Sequence, residues 1–250
     1  MTKFALGNDE VRIAYEDVGL GEPIVLVHGF ASDRVQNWKS PGWYATLAGA
    51  GLRVIAMDCR GHGESDKPHD SRAYGETMVD DIAAVMAAAG LNKADIMGYS
   101  MGGMLSMGLL MRHPDLVRRA VVAGVGATYF HDAPIRRRAI AEALEAADPA
   151  ALTDPIQKQF RAFAGQSGKD LPALAACMGA ERTVYSRQQL HDWPSPVLVV
   201  CGENDVLTGS PDALAGAFAQ AHAVTVPRRD HMTTVGDKVY KQAVLEFLAS

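Results

Sequence analysis

The chain has 250 residues, 48% of them apolar, with 24 Lys and Arg against 29 Asp and Glu for a formal net charge of −5. That length suits one large α/β domain or two small ones, and the apolar fraction is ample for a sizeable buried core. The charge is mildly negative and the basic residues are dispersed apart from Arg136-Arg137-Arg138, which reads as one solvated helix face, so the composition argues against electrostatic capture of nucleic acid or an anionic membrane.

The first ten residues meet charge too early for the apolar core of a signal peptide, and no later apolar run is long enough to cross a bilayer, so cytoplasmic residence is expected. Cys59, Cys177 and Cys201 are odd in number and lack metal-ligand spacing, which fits reduced cysteines behaving as small core hydrophobes. The lesser alternative is a reactive thiol at Cys59 or Cys201, each close to the end of an expected strand. No histidine falls at His-x-x-x-His spacing and no cysteine at Cys-x-x-Cys spacing; neither a metal nor a cofactor is expected.

In chain order, Phe4-Ala5-Leu6 and Val11-Arg12-Ile13-Ala14-Tyr15-Glu16 alternate apolar with polar around Gly7-Asn8-Asp9, as an antiparallel hairpin at a sheet edge does. Ile24-Val25-Leu26-Val27 is continuously apolar and β-branched, the mark of a strand buried on both faces, and Val54-Ile55-Ala56-Met57 repeats it. The remaining central strands are expected at 94–97, 120–123, 197–200 and 223–226. Helical patterns at 41–49, 77–89, 101–112, 211–220 and 235–249 separate them, several ending at glycine or before Pro114. Buried strands alternating with helices imply right-handed crossovers and a mostly parallel sheet covered on both faces.

From Phe130 to about Trp193 no strand pattern appears. Helix starts occur instead at Asp148-Pro149, Asp154-Pro155 and Ser186-Arg187, and Ile140, Leu144, Phe160, Phe163, Leu174 and Met178 recur at helical spacing. This reads as a helical insertion between two strands, and loops after strand ends are where α/β folds place ligand sites. The expected division is a core of 1–129 and 193–250 with a helical cap of 130–192; the alternative is a second small domain with no role at the site.

The chemistry centres on Ala94-Asp95-Ile96-Met97-Gly98-Tyr99-Ser100-Met101-Gly102-Gly103, an apolar run that breaks at glycine, presents one serine and resumes as a helix. In such an elbow the serine takes a strained backbone conformation that lifts its hydroxyl clear of the sheet, and Gly98 and Gly102 are small because side chains there would meet neighbouring backbone. A serine hydroxyl is a poor nucleophile at neutral pH, so Ser100 needs an imidazole to take its proton and an acid to hold that imidazole. Past the strand at 197–200 comes Cys201-Gly202-Glu203-Asn204-Asp205, and past the strand at 223–226 comes Pro227-Arg228-Arg229-Asp230-His231-Met232, so that Ser, Asp and His follow in the order this topology requires. The loop His28-Gly29-Phe30-Ala31 supplies the second oxyanion donor: Gly29 lets the backbone curl over the site so that the Phe30 amide joins that of Met101.

Taken together these residues resemble the α/β-hydrolase superfamily, and within it the small-capped serine esterases and lactonase-like members. The resemblance covers nearly the whole chain and rests on His28-Gly29-Phe30, Asp58-Cys59-Arg60-Gly61-His62-Gly63-Glu64-Ser65, Gly98-Tyr99-Ser100-Met101-Gly102-Gly103, Gly202-Glu203-Asn204-Asp205 and Asp230-His231. It implies a mostly parallel eight-stranded sheet, the cap before the seventh strand, Ser100 as nucleophile, His231 as base and acid, Asp205 as its orienter, and the Phe30 and Met101 amides as oxyanion hole. Two acids compete with Asp205: Asp230, whose side chain should diverge from that of its neighbour His231, and Glu203, if the loop register differs. Asp58, Arg60 and His28 read as loop braces, and His62, His69, His113, His131, His191 and His222 show no partner pattern. Met97, Met104, Met107 and Met111 read as core, whereas Tyr99, Met101 and Met232 adjoin the site and are candidates for its pocket.

The expected activity is hydrolysis of a small-molecule carboxylic ester through an acyl-enzyme. A lactonase, a carbon–carbon hydrolase, a thioesterase and a perhydrolase share the same serine chemistry, while relatives with an aspartate nucleophile are set aside by Ser100. From another class, a slow-turnover ligand receptor on this scaffold stays open. Neither substrate nor oligomeric state is legible from the sequence.

Overall fold

The computed structural model describes residues 1–131 and 133–250, and for 133–136 the backbone alone. Its frame is an eight-stranded sheet in the order β1-β2-β4-β3-β5-β6-β7-β8. The strands are β1 (Lys3–Leu6), β2 (Arg12–Val18), β3 (Glu22–Val27), β4 (Leu52–Met57), β5 (Ala94–Tyr99), β6 (Val117–Ala123), β7 (Val197–Gly202) and β8 (Ala221–Val226). The β1–β2 and β2–β4 pairings are antiparallel and the others parallel. The helices are α1 (Trp43–Gly49), α2 (Thr77–Ala88), α3 (Met101–Arg112), α4 (Ala133–Glu145), α5 (Pro155–Ala164), α6 (Leu171–Gly179), α7 (Arg187–His191), α8 (Asp212–Ala215) and α9 (Lys238–Ala249).

Successive residues of a strand point to opposite faces, and the core divides accordingly. Val25, Val27, Ile55, Met57, Ile96, Val122 and Val199 pack with Ile82 and Val85 of α2 and Leu105 and Leu109 of α3. Ile24, Leu26, Val54, Ala56, Met97, Val121 and Val200 face the other way, onto Trp43 and Leu47 of α1 and Tyr240, Val244 and Phe247 of α9. Two covered faces explain why 24–27, 54–57, 120–123 and 197–200 read as unbroken apolar runs.

Three sequence expectations need correction here. β8 is not central: it closes the sheet at one edge, and its residues are mostly partly exposed, which its less apolar sequence Ala-His-Ala-Val-Thr-Val reflects. The helix expected over 211–220 is confined to α8, because the chain leaves it at Gly216 and turns to bury Ala217 and Phe218. The start at Asp148-Pro149 gives a single 3-10 turn, whereas Asp154 caps α5 through bonds from the Ile156 and Gln157 amides at 2.8 and 2.9 Å. Between β6 and β7 the described residues contain helices and no strand, and α4 packs against both α5 and α6.

Candidate active site

The parallel strands β5, β7 and β8 end on the same side of the sheet, and the loops that follow them carry Ser100, Asp205 and His231. Ser100 stands between β5 and α3 with φ 54° and ψ −112°, a left-handed conformation costly for any residue with a Cβ. The turn is held by the Ser100 amide donating to Ala123 O at 2.7 Å. A Cβ on Gly98 would run into the Gly102 carbonyl, and one on Gly102 into the Val27 carbonyl, so strand, turn and helix approach closer there than side chains allow.

His231 Nε2 lies 3.0 Å from Ser100 Oγ, and His231 Nδ1 lies 2.7 Å from Asp205 Oδ2. The Asp205 side chain is fully buried, and its other oxygen accepts the Leu207 amide at 3.0 Å. With an ionised carboxylate behind it, the ring carries its proton on Nδ1 and leaves Nε2 to accept from Ser100. The competing acids are occupied elsewhere. Asp230 Oδ1 accepts from the Met232 and Thr233 amides and from Thr233 Oγ1, closing its own turn, and Glu203 accepts the Arg228 amide at 2.7 Å.

The loop after β3 curls over Ser100. A Cβ on Gly29 would lie 3.3 Å from Tyr99 O and 3.5 Å from Ser100 Cβ, so the loop passes close against the serine turn. The Met101 amide, first in α3, has no acceptor within its helix, and the Phe30 amide has none among the described residues, so both N–H groups are uncommitted beside the serine. His28 and His62 hold this loop. Cys59 N–H donates to His28 Nε2 at 2.9 Å, and Ala31 N–H to His62 Nε2 at 3.0 Å. Burial pushes both imidazoles below their ordinary pKa, as neutral acceptors require. His62 therefore has the partners that its sequence context did not reveal; His69 meets Asp170 and His113 meets Asp80 as well. Buried Asp58 anchors the same region, accepting from the Arg34 and Glu64 amides at 2.8 Å and pairing with the Arg34 guanidinium.

Asn37 escaped the sequence reading. It sits in a π-turn over Val35–Lys39, buried, and its Oδ1 accepts the Gly29 amide at 2.9 Å. A buried asparagine next to Trp38, in a stretch without helical periodicity, was its only trace. Tyr99 is buried but contributes to the wall of the cavity beside Ser100, and its hydroxyl donates to the His231 carbonyl at 2.6 Å.

Two chambers meet at Ser100 and His231. The outer, about 230 Å³, is bounded by Asn37, Tyr99, Gln159, Phe163 and Met232; the inner, about 100 Å³, by Met101, Met104, Val125, Tyr129, Ile140 and Met178. Phe30 and Phe160, with ring centres 6.1 Å apart, stand at the junction of the two. Arg137 and Arg182 also line the inner chamber, which corrects the reading of 136–138 as one solvated face. Arg138 is exposed and pairs with Glu142, Arg137 turns inward, and the Arg136 side chain lies outside the described residues. All three cysteines are buried, and burial raises their thiol pKa values, opposite to what a reactive thiol needs.

A family model for the alpha/beta hydrolase fold matches residues 22–175, and the chain belongs to that family. It is similar to a 2-hydroxymuconate semialdehyde hydrolase of Pseudomonas sp. (strain CF600), 32% identical over 120 residues, which are 48% of this chain and 42% of that protein. A putative 2-succinyl-6-hydroxy-2,4-cyclohexadiene-1-carboxylate synthase of Bacillus subtilis (strain 168) is 26% identical over 97% of both chains. The chain spans 42% and 58% of the length of the first two curated relatives it matches. Among solved structures, a thermophilic esterase from Thermogutta terrifontis superposes with a TM-score of 0.78 and 26% identity, over 100% of this chain and 98% of that one. No described helix is long and apolar enough to cross a membrane.

Proposed function

We propose that the protein hydrolyses small carboxylic esters through a serine acyl-enzyme. The observation that carries this reading is the hydrogen-bonded chain from Ser100 Oγ through His231 to Asp205, at 3.0 and 2.7 Å. Ser100 attacks the ester carbonyl as His231 Nε2 takes its proton, and the charge that develops on the carbonyl oxygen meets the Phe30 and Met101 amides. His231 then protonates the departing alcohol. Water, deprotonated by the same nitrogen, frees the acid and restores Ser100. Asp205 holds the ring in the required tautomer and stabilises the imidazolium. Residues 130–192 act as a cap that shapes both chambers, and similarity to the esterase from Thermogutta terrifontis supports the ester class.

A second reading, carbon–carbon bond hydrolysis by the same residues, is favoured by the stretch shared with the 2-hydroxymuconate semialdehyde hydrolase. The test uses a serine-directed fluorophosphonate and a short-acyl 4-nitrophenyl ester. The wild type should turn the ester over repeatedly and take up one equivalent of phosphonate at Ser100. Ser100→Ala should do neither. Ester turnover by Ser100→Ala at the wild-type rate rejects the proposal, and a single acylation without turnover favours the receptor alternative.

A further inference from the structure

The inner chamber is mostly apolar, but two cations line it in addition to Ser100, Thr128, Tyr129, Thr208 and His231. Arg137, on α4, and Arg182, in the loop after α6, both line it, and the Nε of each is buried without an acceptor. Among the described residues neither guanidinium meets a carboxylate. Elsewhere Arg34 pairs with Asp58, Arg60 with Asp81, and Arg118 and Arg119 with Asp95; Arg161, whose Nε is likewise buried without an acceptor, meets no carboxylate among the described residues but lies outside this chamber. Arg182 makes one ordinary hydrogen bond, from Nη2 to Cys177 O at 3.0 Å. Its other neighbours are the weak acceptors Cys177 Sγ at 3.2 Å, Met101 Sδ at 3.5 Å and Met78 Sδ at 4.0 Å.

Two cations with no carboxylate among the described residues, beside one mostly apolar cavity, are unfavourable in the free protein, since the Nε of each is buried without an acceptor and the two charges repel. The strain is visible at Arg137, which burial and then the charge of Arg182 pull down to about 10. Tyr129 adds a donor: its Oη accepts the Tyr185 amide at 2.7 Å, which leaves its own proton without an acceptor among the described residues. An anion between these groups removes the repulsion and satisfies the orphaned donors at once. Arg182 touches the side chain of Met101, the residue next to Ser100, so such an anion belongs to the molecule being attacked.

We propose that Arg137 and Arg182 form a carboxylate subsite, and that the substrate is an ester or lactone bearing a carboxylate a short chain away from the carbonyl attacked by Ser100. This rests on the proposed ester hydrolysis at Ser100. A chamber of about 100 Å³ has the volume of about three waters of liquid, which suits a carboxylate on a very short chain. The outer chamber receives the other limb.

The test compares kcat/KM for charged and neutral esters of matched length: monomethyl succinate and monomethyl glutarate against methyl butyrate and methyl valerate, and acetoxyacetate against ethyl acetate, with the carboxylate on the acyl or the alcohol limb. A preference for the charged member on the order of 10- to 100-fold in either series supports the subsite, as charge-assisted hydrogen bonds of this kind are that strong. In Arg137→Met and Arg182→Met the charged-to-neutral ratio should fall about tenfold or more, with partial recovery in Arg182→Lys. Equal rates for charged and neutral members in both series overturn the subsite and leave ester hydrolysis standing. Where no ester is turned over, the failure belongs to the hydrolase reading, and the subsite is judged by calorimetric titration of glutarate into Ser100→Ala. Binding that Arg182→Met abolishes supports it, and no binding to the folded protein overturns it. If Arg137→Met does not fold by circular dichroism, Arg137→Gln takes its place.

Discussion

The hydroxyl of Tyr99 donates to the main-chain carbonyl of His231 at 2.6 Å, so the residue before the proposed nucleophile grips the backbone of the proposed base. Their rings lie 5.4 Å apart, and behind them Gly124 leaves the space: a Cβ there would come within 3.2 Å of His231 Cε1. The 3.0 Å approach of Nε2 to Ser100 is thus supported by a backbone contact spanning 132 residues of chain, in addition to the bond between Nδ1 and Asp205.

Removing that grip without removing the ring should loosen the pair. Tyr99→Phe is expected to lower kcat about fivefold, the worth of one net hydrogen bond of about 1 kcal/mol, with a much smaller change in KM. Steady-state kinetics on a short-chain ester decides it, and a change confined to KM would assign Tyr99 to substrate binding instead.

The orienting role proposed for Asp205 separates it from the acid adjoining His231. Asp205→Asn presents an amide to His231 Nδ1 and favours the wrong tautomer, so kcat should fall by on the order of 10³ to 10⁴. Asp230→Asn keeps an oxygen for the turn through Met232 and Thr233 and should stay within about threefold of wild type. The reverse ranking would transfer the role to Asp230.

Strain at Ser100 predicts an ordering of stabilities. Alanine retains a Cβ at φ 54°, whereas glycine adopts that conformation freely. Ser100→Gly should therefore be more stable than Ser100→Ala by about 1 kcal/mol in urea denaturation, although glycine ordinarily destabilises. Equal midpoints would mean that the elbow is not strained.

His28 and His62 make stability depend on pH. Both are buried as neutral acceptors with depressed pKa values, so in the window just below the unfolded-state value of about 6.5 the unfolded chain binds protons that the folded chain does not. Stability is then expected to fall as pH drops from about 6.5 towards 5, by up to about 1.4 kcal/mol per pH unit for each proton. His62→Gln, which retains an acceptor for the Ala31 amide, should be less stable at pH 7.5 but show a shallower slope. Urea titrations at half-unit intervals measure both, and an unchanged slope would remove His62 as a contributor.

Most of the sheet was legible because buried strands must be continuously apolar: Ile24 to Val27 and Val54 to Met57 announced themselves. The meeting of Ser100, Asp205 and His231 at one end of the sheet was legible because each follows such a run at its carboxyl end. Arg137 was not, since helical spacing says which residues share a face but not which face meets a cavity. Asn37 was hidden because its partner, the Gly29 amide, is brought to it by a π-turn with no apolar period. The shortening at Gly216 reflects burial of Phe218, a tertiary demand that overrides local pattern.

The walls facing Ser100 have two origins. Gly29, Phe30, Met101 and His231 belong to loops anchored in the sheet, whereas Arg137, Ile140, Phe160, Met178 and Arg182 all come from one continuous run of chain between β6 and β7. Under the proposed function, recognition and bond cleavage are separately heritable: exchange of that single run would offer a lineage, or a protein engineer, a new substrate while the strand ends that carry Ser100, Asp205 and His231 stay as they are.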